Sequence, residues 1–103
     1  MKRERKKPTE RKEHILAAAC TVAAEKGYNN VTREDTANEA GVSMSLVSHY
    51  FKTMPQLRRD IMRYAVRERI DHVIAQGLMH KDPQALKVDK ETRNRVLHSL
   101  AEQ

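Results

Sequence analysis

The chain has no tryptophan, one phenylalanine (Phe51), three tyrosines, one cysteine and three glycines in 103 residues. The lone Cys20 excludes an internal disulfide and points to a reducing compartment. It follows Ala17, Ala18 and Ala19 in a helix-like run and reads as a small packed residue. No apolar run approaches the ~20 residues of a membrane span, so no membrane partner is expected. The N-terminus lacks the apolar stretch of a signal peptide. No strand-like alternation of useful length and no internal repeat appears. The five histidines (His14, His49, His72, His80, His98) show no paired metal spacing. There is no glycine-rich phosphate loop, nucleophile elbow or convincing carboxylate pair. Neither catalytic residues nor a metal nor a cofactor is expected, and a chain this short has no room for most enzyme folds.

What the chain does have is positive charge. Lysine and arginine number 20 against 14 acidic residues, the pI is near 9.7, and mean hydropathy is -0.80. A small basic domain suggests an anionic partner, with nucleic acid the first choice. The excess is concentrated at the start, where residues 1–14 hold seven basic and three acidic side chains. Residues 1–8 show no apolar periodicity and read as a basic arm. Lys2, Arg3, Arg5, Lys6 and Lys7 can track phosphates or reach a minor groove. The plainer alternative is a solubilising tail.

Beyond the arm, helical signals follow one another. Thr9 is an N-cap for a first helix to Lys26, with Ile15, Leu16, Ala19, Val22 and Ala23 at helical spacing and Gly27 as a left-handed stop. Thr32 caps a second helix that ends at Ala40. Ser43 caps a third, about Met44 to Phe51. Thr53-Met-Pro-Gln56 is a capping-box sequence opening a long fourth helix to about Gln76, with Gly77 as its stop. Asp82-Pro83 starts a short turn of helix, and Asp89 caps a last one, Lys90 to about Ala101. The expected fold is all-α: a three-helix helix-turn-helix headpiece with a long fourth helix and a short helical C-terminal tail. The boundaries are 1–8 for the arm, 9–65 for the headpiece and 66–103 for a dimerisation region.

Two short helices joined by Ala40-Gly-Val-Ser43 make a helix-turn-helix. Gly41 permits the turn, Ala40 allows close approach, Val42 plugs the corner and Ser43 satisfies the amides of the next helix. Together with Ile15-Leu-Ala-Ala-Ala19, Glu25-Lys-Gly-Tyr28, Val31-Thr32, Ala37, His49-Tyr-Phe51 and Leu57, this segment resembles the DNA-binding domain of the TetR family of bacterial transcriptional regulators. The resemblance covers roughly Arg11 to Tyr64. The Ser48-His-Tyr-Phe51 stretch is similar to the betaine-pathway repressors within that family. The chain departs from the family pattern at three places. Thr36 stands for an aliphatic residue, Ser48 for a tyrosine and Met54 for a lysine, and the latter two family residues commonly touch DNA phosphates. Typical members also carry a large effector-binding domain, for which about forty residues after Tyr64 leave no room, so no small-molecule effector is expected.

On a helical wheel, Met44, Ser45, Ser48 and His49 of the third helix fall on one side, with Leu46 at the border and Val47, Tyr50 and Phe51 behind. An outer face of Ser43, Met44, Ser45, Leu46, Ser48 and His49 suits a major groove. An ordinary solvated face is the alternative, though a bare Met and Leu among hydroxyls, with no carboxylate, is unusual for one. Thr32 and Arg33, at the start of the second helix, and Lys52 and Thr53, at the start of the fourth, are placed for phosphates or for capping alone.

The fourth helix carries two apolar faces. Leu57, Ile61, Tyr64 and Ala65 close the headpiece, while Met62, Val66, Ile70, Val73 and Ile74 lie about 140° away. With Val96, Leu97 and Leu100 of the tail, the stripe Val66, Ile70, Val73 and Ile74 is expected to form a homodimer interface, unless the tail alone covers it. The expected function is a cytoplasmic, nucleoid-associated regulator, a repressor binding double-stranded DNA as a dimer on an inverted repeat. Its rivals are a protein-interaction module that has lost operator binding and a non-specific DNA-coating protein.

Overall fold

The computed structural model describes residues 7–101. Among them the chain forms α1 (Pro8–Lys26), a 3-10 turn (Tyr28–Asn30), α2 (Arg33–Ala40), α3 (Met44–Tyr50), α4 (Met54–Arg67), α5 (Asp71–Met79), α6 (Pro83–Leu86) and α7 (Lys90–Ala101). The all-α class holds.

α1 begins two residues earlier than its sequence indicates. Lys7 occupies the cap position without a side-chain bond and Pro8 opens the helix, so Thr9 lies inside the first turn and caps nothing. Proline at the start costs no hydrogen bond, because its missing N–H is an orphan there anyway. Gly27 ends the helix with φ 93 and ψ 140, so it has the positive φ that favours glycine but not the left-handed helical conformation expected of it.

α1 is the spine on which α2, α4 and α5 pack. Its buried face of Ile15, Leu16, Ala19, Val22 and Ala23 meets Val47, Phe51, Leu57 and Ile61 in one core. Burying each large apolar side chain stabilises the fold by roughly 1.5–3 kcal/mol. Thr36, wholly buried, turns its hydroxyl to the Thr32 carbonyl at 2.8 Å and so meets no unsatisfied partner. Cys20 is buried too, its Sγ donating to the Ile61 carbonyl at 3.6 Å, and burial pushes its thiol up to about 12.

The long fourth helix is in fact two. α4 stops at Arg67, Arg69 takes φ 58, and α5 starts afresh at Asp71. The apolar spacing runs unbroken through the bend, which is why the sequence reads as one helix. Gly77 is not a stop but sits buried within α5. A Cβ there would come within 2.6 Å of the Met62 Cε and 2.7 Å of the Ala85 Cβ. It is the point where α4, α5 and α6 meet.

The bend folds the tail back on the headpiece. Val73, Ile74 and Val96 are wholly buried within a single chain, and Val66, Ile70 and Leu100 are partly buried against the same core. Leu97, beside Val96, is 49% exposed. Gln76 ties the two regions, donating to the Ala23 carbonyl and accepting the Tyr28 N–H, each at 2.9 Å. Arg95 grips Asp71 with two nitrogens, at 2.8 and 3.0 Å. None of the described helices is long and apolar enough to cross a membrane.

Candidate nucleic-acid interface

The turn between α2 and α3 has the geometry its residues require. Gly41 takes the left-handed conformation, φ 71 and ψ 35, and the Val42 N–H returns to the Ala37 carbonyl at 3.0 Å. Ser43 then accepts the Leu46 N–H at 3.1 Å and starts α3. From outside the motif, His14 of α1 donates from its ring Nε2 to the Ala40 carbonyl at 2.9 Å. Nothing in the sequence pattern singled out this contact, since His14 lies on the exposed border of α1.

α3 turns Val47 and Phe51 fully inward and leaves Tyr50 half-buried. Ser43, Met44, Ser45 and His49 are exposed, Met44 at 50%, while Leu46 and Ser48 are half-buried. The exposed face therefore offers two hydroxyls, an imidazole and a thioether, and no carboxylate. The His49 ring packs edge-on against Tyr50, with centroids 5.0 Å apart.

Two further helix starts flank this face. Thr32 accepts the Asp35 N–H at 3.0 Å and Thr53 accepts the Gln56 N–H at 3.2 Å, so both hydroxyls are occupied in capping. The Lys26 ammonium, 3.1 Å from Asp35, together with the Thr32 hydroxyl, holds the Asp35 carboxyl below the usual carboxylate range. Arg33 donates from Nη2 to the Lys52 carbonyl at 3.1 Å, so the two pairs at 32–33 and 52–53 come together although the sequence separates them. The exposed Lys52 side chain and Lys7 remain outward. Lys2, Arg3, Arg5 and Lys6 lie outside the described residues.

Gln56 does more than its capping-box spacing announces. Its side chain accepts the Lys52 N–H at 3.2 Å and donates to the Tyr50 carbonyl at 3.4 Å, tying off the end of α3. Among the described residues, no group of three or more His, Cys, Asp and Glu side chains is placed to hold a metal ion.

Residues 15–61, the segment from the core of α1 to the middle of α4, match the family model of bacterial regulatory proteins, tetR family. This segment is similar to the tetR family over those residues. The chain is 41% identical over 66 residues to the HTH-type transcriptional regulator BetI of Agrobacterium fabrum, a match covering 63% of this chain and 32% of that protein. It is 30% identical over 56 residues to the HTH-type transcriptional repressor KstR2 of Mycolicibacterium smegmatis, covering 54% of this chain and 27% of that protein. The chain thus spans about a third or less of the length of these curated relatives. No solved structure matches it. In this headpiece α3 is the second helix of the helix-turn-helix, and the matched segment includes every residue of its exposed face.

Proposed function

We propose that the chain is a sequence-specific DNA-binding transcriptional regulator. It acts as a repressor that covers a promoter and binds an inverted repeat as a homodimer. The observation that carries this reading is the exposed, carboxylate-free face of α3, set between the starts of α2 and α4. A helix presented in this way fits the major groove, where each base pair offers a distinct pattern to hydroxyl, imidazole and apolar groups. The names of the two relatives, a transcriptional regulator and a transcriptional repressor, support it. A gel shift against random genomic fragments, followed by footprinting upstream of the protein's own gene, tests it. A few selected fragments are expected. Uniform binding would make the chain a DNA-coating protein instead.

A homodimer has to use the surface that one chain leaves open. Leu97 is the most exposed of the expected interface residues, bordered by the half-buried Leu100, while Val66 and Ile70 lie half-buried elsewhere on the tail. The burial of Val73, Ile74 and Val96 inside one chain favours a second reading, a monomeric headpiece that binds another regulator or polymerase. Sedimentation at micromolar concentration separates the two. A species of 11.9 kDa supports the interaction module, and twice that mass supports the dimeric repressor.

A further inference from the structure

We infer that Arg33 is a positioning residue for α3 rather than a phosphate contact. The inference rests on the DNA-binding reading and deepens it. α3 has seven residues, far fewer than an isolated helix needs to persist in water. Its pose is therefore set by whatever grips its ends.

The last carbonyls of any helix have no partner inside it. Here the chain leaving α3 is held from two sides. From α4, Gln56 takes the Lys52 N–H and donates to the Tyr50 carbonyl. From α2, Arg33 donates to the Lys52 carbonyl at 3.1 Å. Phe51, between those two positions, is fully buried and anchors the same point in the core. The Arg33 Nε is buried without a hydrogen-bond partner, so the inner edge of the guanidinium lies against the protein and not toward solvent. Leaving a buried donor unpaired is costly, and the bond from Nη2 to Lys52 offsets that cost only while the turn stays in place. Swinging α3 relative to α2 breaks this bond. Arg33 thus sets the pitch at which Ser45 and His49 are presented.

The test uses the full chain with Arg33→Ala and Arg33→Lys. Amide hydrogen exchange across α3 is measured without DNA. Affinity for a selected fragment and for a random duplex is measured across a salt series. In both variants the α3 amides are expected to exchange about tenfold faster, as a local opening made easier. Preference for the selected fragment should fall by about tenfold or more, while random-duplex affinity and its salt slope stay at the parent's values. A lysine keeps the charge but not the planar donor edge, so it should not rescue selectivity.

A phosphate contact gives the opposite pattern, which would overturn the inference. Arg33→Ala would then weaken both duplexes alike and lower the salt slope by about one, with Arg33→Lys close to the parent. Unchanged α3 exchange in both variants would overturn it as well. If the parent selects no fragment at all, the DNA-binding reading fails, yet the exchange measurement still decides whether Arg33 holds α3.

Discussion

In the headpiece, α2, α3 and α4 each start on a hydroxyl that accepts a backbone N–H, from Thr32, Ser43 and Thr53. In the tail, α5 starts at Ile70 with no side-chain cap, and the two non-glycine residues with positive φ among the described residues, Arg69 and Lys81, stand at its two ends. Such conformations cost roughly 1 kcal/mol or more each and persist only where packing over-determines them. Val73, Ile74, Ala75 and Gly77 supply that packing. The headpiece is thus specified locally, residue by residue, whereas α5 is specified by what it is pressed against.

The largest expected effect comes from attacking that packing. Ile74→Asp puts a charge with no partner into a site with no solvent exposure, at a cost of about 3–5 kcal/mol. Gln76 bonds to both Ala23 and Tyr28 across the boundary, so headpiece and tail should melt together, in one transition at lower temperature by circular dichroism. Two separate transitions would show that the regions fold independently and that the difference between them reaches beyond local encoding.

His49→Ala probes the headpiece alone. The side chain is exposed on α3 and holds no part of the core. Thermal stability should stay near the parent's, while affinity for a selected fragment drops by about 1–3 kcal/mol and sequence preference relaxes. A titration of both duplexes checks this. Equal affinity of parent and variant for both would remove His49 from the interface.

Local signals made much of the headpiece readable: the caps at Thr32, Ser43 and Thr53, the left-handed Gly41, and the inward Val47 and Phe51 all follow from residue type and spacing. The caps at Asp82 and Asp89 were equally readable, and both aspartates accept backbone N–H groups where expected. What escaped was tertiary. The bend at Arg69 interrupts no periodicity, and Gly77 looks the same in sequence as a helix stop and as a close-packing point. His14 reaches a partner, the Ala40 carbonyl, that only the folded chain brings near, while the bonds of Gln56 to Lys52 and Tyr50 are close in sequence but depend on how the chain turns after α3. Val73 and Ile74 of the first stripe and Val96 of the tail were visible as apolar, but the sequence could not tell an interface from an interior.

Gly77→Ala separates the two meanings of that glycine. Alanine is a better helix former by about 1 kcal/mol, so a glycine that only occupied a helix would be improved by the change. Here the new methyl meets Met62, which can swing aside, and Ala85, which cannot. Overpacking of this kind costs about 1–3 kcal/mol, so a net loss is expected in a denaturant melt. A gain would mean that α6 shifts freely, and the tail would then be looser than its burial implies.

The smallest effect lies at the latch between α5 and α7. The hydrogen bonds from Arg95 hold the Asp71 carboxyl below the usual carboxylate range. A carboxyl whose pKa is lowered by folding contributes stability that is fully present above its unfolded value, near 4. That contribution is lost as pH falls through the folded value. Both side chains keep some exposure, 27% for Asp71 and 31% for Arg95, so solvent screening keeps the pair's contribution small. Asp71→Asn should therefore lower stability only slightly at neutral pH. It should also flatten the decline of the melting midpoint between roughly pH 5 and pH 3. The headpiece has its own acid-sensitive pair in Lys26 and Asp35, so the variant should retain part of the acid dependence. A variant whose acid profile overlays the parent's would show that the latch adds nothing to the tail and that apolar packing through Val96 and Leu100 holds α7 in its place.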